Sequence, residues 1–140
     1  MLKASNPSNK DPARIINISS IYAVRTQAES LVAADGSGVW SYCASKAGVD
    51  SLTKTLASSL SKYCITVNSI APGVFPTKMT QFALNRNEQL LKSVQPLGRI
   101  GTESDIEGVV VFLVSKASAH INGVVLPVDG GFLVGGASKL

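Results

Sequence analysis

Tyr42-Cys43-Ala44-Ser45-Lys46 sets a phenol and an ammonium four positions apart. On a helix, side chains at that spacing share a face. A free phenol, with a pKa near 10, exchanges protons poorly at neutral pH. A lysine charge about 5 Å away, at an effective dielectric of about 20, would favour phenolate by roughly 3 kcal/mol. Such a pair could serve as a general acid–base. Three tyrosines and nine lysines in 140 residues produce about 0.2 such pairs by chance. The competing interpretation is therefore a partly buried tyrosine beside a solvated lysine, and the neighbourhood must decide. Ser20 closes the run Asn17-Ile18-Ser19-Ser20 behind a β-branched segment. That puts a hydroxyl at the C-terminal end of a strand, where open parallel sheets place their ligands.

The elements that would position these groups follow from periodicity. Arg14 to Ser19 is short, apolar and nearly continuous, the pattern of a strand buried on both faces. Residues 21–41 show little periodicity and are expected to be a loop. From Tyr42 to about Lys62 a helix is predicted, with Ala44, Gly48, Leu52, Leu56 and Leu60 as its packed ridge. Small residues in its first turns (Ala44, Ser45, Ala47, Gly48) would allow close packing there. Ile65 to Ala71 reads as a second strand, ended by Pro72-Gly73. Between residues 74 and 100, the spacing of Phe82, Leu84, Leu90, Leu91 and Val94 predicts one or two short amphipathic helices. Thr102 and Asp105 form a capping box ahead of Ile106, Val109, Val110 and Leu113, a helix of about a dozen residues. Val124 to Val128 is a third strand, and Pro127, which cannot donate to a ladder, places it at a sheet edge. Asp129-Gly130-Gly131 then turns the chain. Strands alternating with helices predict an α/β fold with a parallel sheet and right-handed crossovers.

With 140 residues, 45% of them apolar and 16% charged, the chain suits one globular domain. Its net charge of +4 is spread along the length, without the basic stripe of a nucleic-acid binder. No run of 18 apolar residues predicts a membrane span, and the polar opening does not read as a secretory signal. Cys43 and Cys64 are too few for a disulfide framework, and in apolar company both are expected to behave as small hydrophobes. His120 lies too far from them in sequence to build a zinc site and reads as a loop or core histidine. Asn17-Ile18-Ser19 matches a glycosylation acceptor, but within an expected strand the match is read as chance. A cytoplasmic, metal-free protein is expected.

Five ordered motifs between residues 14 and 131 carry a resemblance: the NISS strand end, YCASK, the NSIAPG strand end with Thr77, Leu97-Gly98-Arg99, and Val128-Asp129-Gly130-Gly131. In these the chain resembles the short-chain dehydrogenases/reductases, and residues 72–80 resemble the subgroup related to 3-oxoacyl-acyl-carrier-protein reductases. The resemblance implies a doubly wound, Rossmann-type sheet and reduction of a ketone to a secondary alcohol by nicotinamide hydride, or the reverse. Tyr42 would pass a proton to or from the carbonyl oxygen. Lys46 would lower the pKa of Tyr42 and bond the nicotinamide ribose. Ser20 would hold the carbonyl oxygen, with Ser19 as the alternative. The backbone around Pro72, Gly73 and Phe75 would position the nicotinamide carboxamide, and Thr77 would reach the cofactor's amide or phosphates. Residues 78–97 would be a substrate lid within a single partial domain, residues 1–140. The implied cofactor is NADP, or else NAD; the partners are a small carbonyl or alcohol substrate and further copies of the chain.

Two departures qualify the resemblance. The G-x-G-x-x-G turn of the family's N-terminal half is absent, so the chain reads as the C-terminal half, with about three strands. Phosphate binding at a helix N-terminus supplies much of dinucleotide affinity, so tight cofactor binding by this chain alone is not expected. An unpaired first strand would also favour self-association. The interval from Ser20 to Tyr42 is longer than usual for the family, with the excess around Gln27 to Val39. The alternative to an enzyme is a non-catalytic remnant acting as an interaction or regulatory module.

Overall fold

A computed structural model describes residues 7–25 and 38–135. The 12 residues from 26 to 37, which include most of the long interval before Tyr42, lie outside the described part. Three parallel strands form one sheet in the order β1 (Ala13–Ile18), β2 (Ile65–Pro72), β3 (Val125–Val128). Ala13 pairs with Ile65 and Ile18 with Ile70, while Ser69 pairs with Val125 and Pro72 with Val128. Helix α1 (Trp40–Leu60) crosses from β1 to β2; α2 (Gln81–Ser93) and α3 (Glu103–Val114) lie between β2 and β3. The architecture is the expected partial Rossmann-type sheet. Pro127 sits, as expected, on an edge strand paired only with β2. The predicted amphipathic stretch forms α2, kinked at Asn87, where φ is −136° and ψ 28°.

β2 is the core strand, with Thr66 to Ala71 all buried. β1 departs from the expected burial on both faces: Ile15 is 37% and Ile18 51% exposed. An edge strand with a single neighbour lacks the cover that makes a continuous apolar run a buried one. Helix α1 also packs on a different face from the one predicted. Gly48 and Leu52 are exposed, and Cys43, Asp50, Thr53 and Ala57 are buried instead. Hydrogen bonds select that face. Asn17 Nδ2 donates to Thr53 Oγ1 at 2.9 Å, and Ser19 Oγ donates to the Lys46 carbonyl at 3.2 Å. A helix packed against a polar strand end settles with small, polar residues inward, since any buried donor left unpaired would cost more than an exposed leucine. The Asn17 amide is thus used inside the fold.

Cys43 is buried as expected, but Cys64 is half-exposed, at φ 55° in the turn before β2, with its thiol against Asn9 Oδ1 at 3.0 Å. His120 is exposed in the loop before β3. Among the described residues no helix is long and apolar enough to cross a membrane, and no three His, Cys, Asp or Glu side chains cluster as metal ligands.

The start of α3 carries a bidentate ion pair. The Asp105 carboxylate accepts two bonds from the Arg99 guanidinium, at 2.7 and 2.8 Å, and the Thr102 N–H and hydroxyl, both at 2.7 Å. The guanidinium first, then the two Thr102 donors, hold the carboxyl below the usual carboxylate range. A carboxylate whose pKa falls on folding stabilises the native state above its unfolded pKa, near 4, and loses that contribution as pH drops toward its folded value. The difference in melting temperature between the native protein and Asp105→Asn is therefore expected to be open at pH 6 and to close progressively below about pH 4. Thermal melts followed by circular dichroism at several pH values would read it; a gap unchanged down to pH 2.5 would contradict it.

Candidate active site

At the C-terminal ends of β1 and β2 the chain forms a cavity of about 230 Å³, lined by Ser20, Tyr22, Val39, Tyr42, Gly73, Val74, Met79 and Thr80 among others. Each wall has a local cause. Ser20, buried and extended, caps a 3-10 turn (Ile21–Ala23) by accepting the Tyr22 N–H at 3.2 Å. Tyr42 lies in the first turn of α1, and its ring meets that of Tyr22 edge-to-face, with centroids 6.4 Å apart at 72°. Edge-to-face contacts of this kind hold ring orientation as well as burying area. Lys46, one turn on, donates from Nζ to the Ile18 carbonyl at 2.9 Å and stands 5.6 Å from the Tyr42 ring centroid. The second distance reflects a shared helix face, as the four-residue spacing implied, and the first ties that face to the end of β1.

Gly73 ends β2 by donating its N–H to Val128 O at 2.9 Å, and a Cβ there would stand 2.8 Å from Asp129 Cα. Only glycine lets the ends of β2 and β3 approach this closely.

The structure brings together Ser20, Tyr42 and Gly73 in the cavity wall, with Lys46 behind Tyr42 and Pro72 at the adjoining strand end. Phe75 and Thr77 do not line the cavity, though both are hydrogen-bonded to Thr80, which does. The Phe75 ring lies against Gly101 and lines a second cavity, of about 310 Å³, with Arg99 and Asp129. Thr77 turns its hydroxyl to Thr80, Oγ1 to Oγ1 3.0 Å, in the bend that leads into α2. Thr80 in turn donates to the Phe75 carbonyl. Of the two adjacent serines, only Ser20 lines the cavity; Ser19 gives its proton to Lys46 O.

Sequence reasoning missed Tyr22 and Val39, and it placed Met79 and Thr80 only within the expected lid, residues 78–97, without singling them out. Tyr22 carried one usable signal, its position two residues beyond Ser20. The others come together only through the crossover.

Compared with known proteins, the chain matches the family described as "Enoyl-(Acyl carrier protein) reductase" over residues 1–133. The chain belongs to the short-chain dehydrogenase/reductase family. It is similar to the 3-oxoacyl-[acyl-carrier-protein] reductase MabA of Mycobacterium tuberculosis, with 41% identity over 71% of this chain and 42% of that protein. It is also similar to the 2-dehydro-3-deoxy-D-gluconate 5-dehydrogenase of Escherichia coli, with 41% identity over 86% of this chain and 45% of that one. Among solved structures, a gluconate 5-dehydrogenase from Burkholderia cenocepacia in complex with NADP and tartrate superposes with a TM-score of 0.79 at 30% identity, covering 89% of this chain and 46% of its own. This short-chain dehydrogenase/reductase chain thus spans under half the length of these relatives.

Proposed function

We propose that this chain carries the proton-transfer side of an NAD(P)-dependent oxidoreductase acting between a ketone and a secondary alcohol, with Ser20, Tyr42 and Lys46 as its catalytic set. One observation carries the reading: a single cavity gathers the Ser20 hydroxyl and the Tyr42 phenol, with the Lys46 ammonium 5.6 Å from the phenol ring.

The residues present fit one end of a nicotinamide dinucleotide. Two hydroxyls, an ammonium and a strand end without side chain at Gly73 suit a flat amide-bearing ring and its ribose. The sequence offers no glycine-rich turn for the pyrophosphate, so the fit stops at that end. When bound, the nicotinamide supplies or receives the hydride. The chain's own residues do the rest. Because Ser20 Oγ accepts the Tyr22 N–H, its proton remains to be donated to a carbonyl oxygen, fixing that oxygen beside Tyr42. Tyr42 holds the proton that the oxygen takes up on reduction or gives up on oxidation. Lys46, anchored on Ile18 O, keeps positive charge close to the phenol. The same geometry supports Ser20 over Ser19.

NADP is the proposed cofactor and a 3-oxoacyl compound one candidate substrate, on the names of the relatives. Residues 78–97 are read as the lid, since Met79 and Thr80 already form part of the cavity wall. Exposed apolar side chains on α1 (Trp40, Leu52) and on α3 (Val111, Phe112) favour a homo-oligomer. Titration with NADP and NADPH, followed by nicotinamide fluorescence and calorimetry, tests the core of the proposal. Saturable binding with hydride transfer to a ketone is expected. No binding at millimolar cofactor would favour the interaction-module alternative.

A further inference from the structure

Among the described residues lining the cavity, none carries a charge. Ser20, Tyr22, Ser41 and Tyr42 bring hydroxyl-bearing side chains to it, and Val39, Val74 and Met79 bring apolar ones. The Thr80 hydroxyl is already given to the Phe75 carbonyl.

The cations near this end of the sheet are directed elsewhere. Lys46 donates to Ile18 O behind the Tyr42 ring. Arg25 lies over the Phe132 ring at 4.2 Å, with Nη1 3.5 Å from the Phe132 carbonyl. Arg99 is held bidentate by Asp105 and lines the second cavity. Lys78, next in sequence to Met79, is exposed and does not line this cavity.

We infer that the cavity takes a neutral carbonyl compound, with its C=O at Ser20 and Tyr42 and its apolar body against Val39, Val74 and Met79, and that it rejects carboxylates. The inference rests on the oxidoreductase reading for where the carbonyl sits, and it adds the class of substrate. A carboxylate taken from water into such a wall would lose its hydration without meeting a cation. A polyhydroxylated chain would leave hydroxyls facing methyl groups, and sites discriminate most strongly when polar groups are left unpaired. A compact apolar ketone loses neither. This sets the chain apart from its structural neighbour named a gluconate 5-dehydrogenase, although the matched parts superpose and are 30% identical. Met79, 64% exposed at the wall's outer side, is the residue through which the preference can be changed without disturbing the core.

The test uses the full chain, the neutral ketone 1-tetralone and the anion gluconate, with binding followed by calorimetry and by NMR of 13C-labelled tyrosine rings. Tetralone is expected to saturate with a Kd at least about 100-fold below that of gluconate. Its binding should shift the Tyr22 and Tyr42 signals and leave those of exposed Tyr63 in place. Met79→Arg, which adds a cation at the wall, is expected to narrow the ratio by about tenfold or more. Gluconate binding as tightly as tetralone, shifts confined to Tyr63, or a ratio unchanged in Met79→Arg would each overturn the inference. Saturable tetralone binding without hydride transfer would support it while overturning the oxidoreductase reading, so the two fail separately.

Discussion

Tyr42→Phe is expected to lower turnover by about 10²- to 10⁴-fold, the usual worth of a positioned general acid–base. The exchange removes one oxygen and leaves the ring. The edge-to-face contact with Tyr22 and the packing of Tyr42 on the buried cluster that contains Ile21, Tyr22, Cys43 and Phe132 both persist. Cofactor affinity and melting temperature should therefore stay close to those of the parent. That separation is the point of the measurement. A loss confined to the chemical step marks a missing proton, whereas a parallel loss of stability would mark a packing defect. Steady-state kinetics of the parent and Tyr42→Phe, with a melt of each, decide between them. A variant retaining more than half of the parent's turnover would remove Tyr42 from the reaction. Ser20 would then be left as the only hydroxyl in the cavity among the three proposed catalytic residues.

The second large effect concerns stability and lies outside the catalytic set. Asn68, in the middle of β2 and 2% exposed, donates from Nδ2 to the Ile121 carbonyl at 2.9 Å and accepts the Val124 N–H at 3.1 Å. Asn122 answers from the other side, accepting the Val67 N–H at 2.8 Å and donating to the Ala57 carbonyl at 3.0 Å. These two amides join β2 to the segment entering β3, before the ladder between the strands begins at Ser69 and Val125. Asn68→Ala would leave a part-buried carbonyl (Ile121) and a part-buried N–H (Val124) without these partners, at a cost of about 1–3 kcal/mol. For a domain whose whole stability is of order 5–15 kcal/mol, that is a large fraction. Urea unfolding should show the midpoint falling at an unchanged slope. A midpoint within error of the parent would mean that the strand ladder alone holds β3.

Much of this was legible in the residues. The alternation of strand and helix patterns, the proline in β3 and the Thr102–Asp105 box led to a parallel sheet, an edge strand and a capped helix, all of which are present. The helix spacing of Tyr42 and Lys46 placed two groups on one face, and the strand end at Ser20 placed a third nearby. The face of α1 was misjudged because periodicity reports where apolar residues lie, not which side a neighbour covers. Leu52 belongs to the most apolar ridge yet is 52% exposed, while Asp50 and Thr53 are buried. Thr53 is paired with Asn17, and a pairing across 36 residues leaves no trace in local pattern.

Phe75 and Thr77 show the same boundary from the motif side. Both follow β2, and the directions of their side chains, the Phe75 ring toward Gly101 and the Thr77 hydroxyl toward Thr80, could not be read from the motif. Local sequence alone determined the element types, their order and the pair Tyr42 and Lys46, because these depend on φ/ψ preferences and on spacing within a single helix or strand. The tertiary structure alone decided which of the two serines lines the cavity, that Tyr22 and Met79 complete it, and that none of the described lining residues carries a charge. Those outcomes depend on which distant segments satisfy one another's buried hydrogen bonds, and that is settled only when the crossover closes.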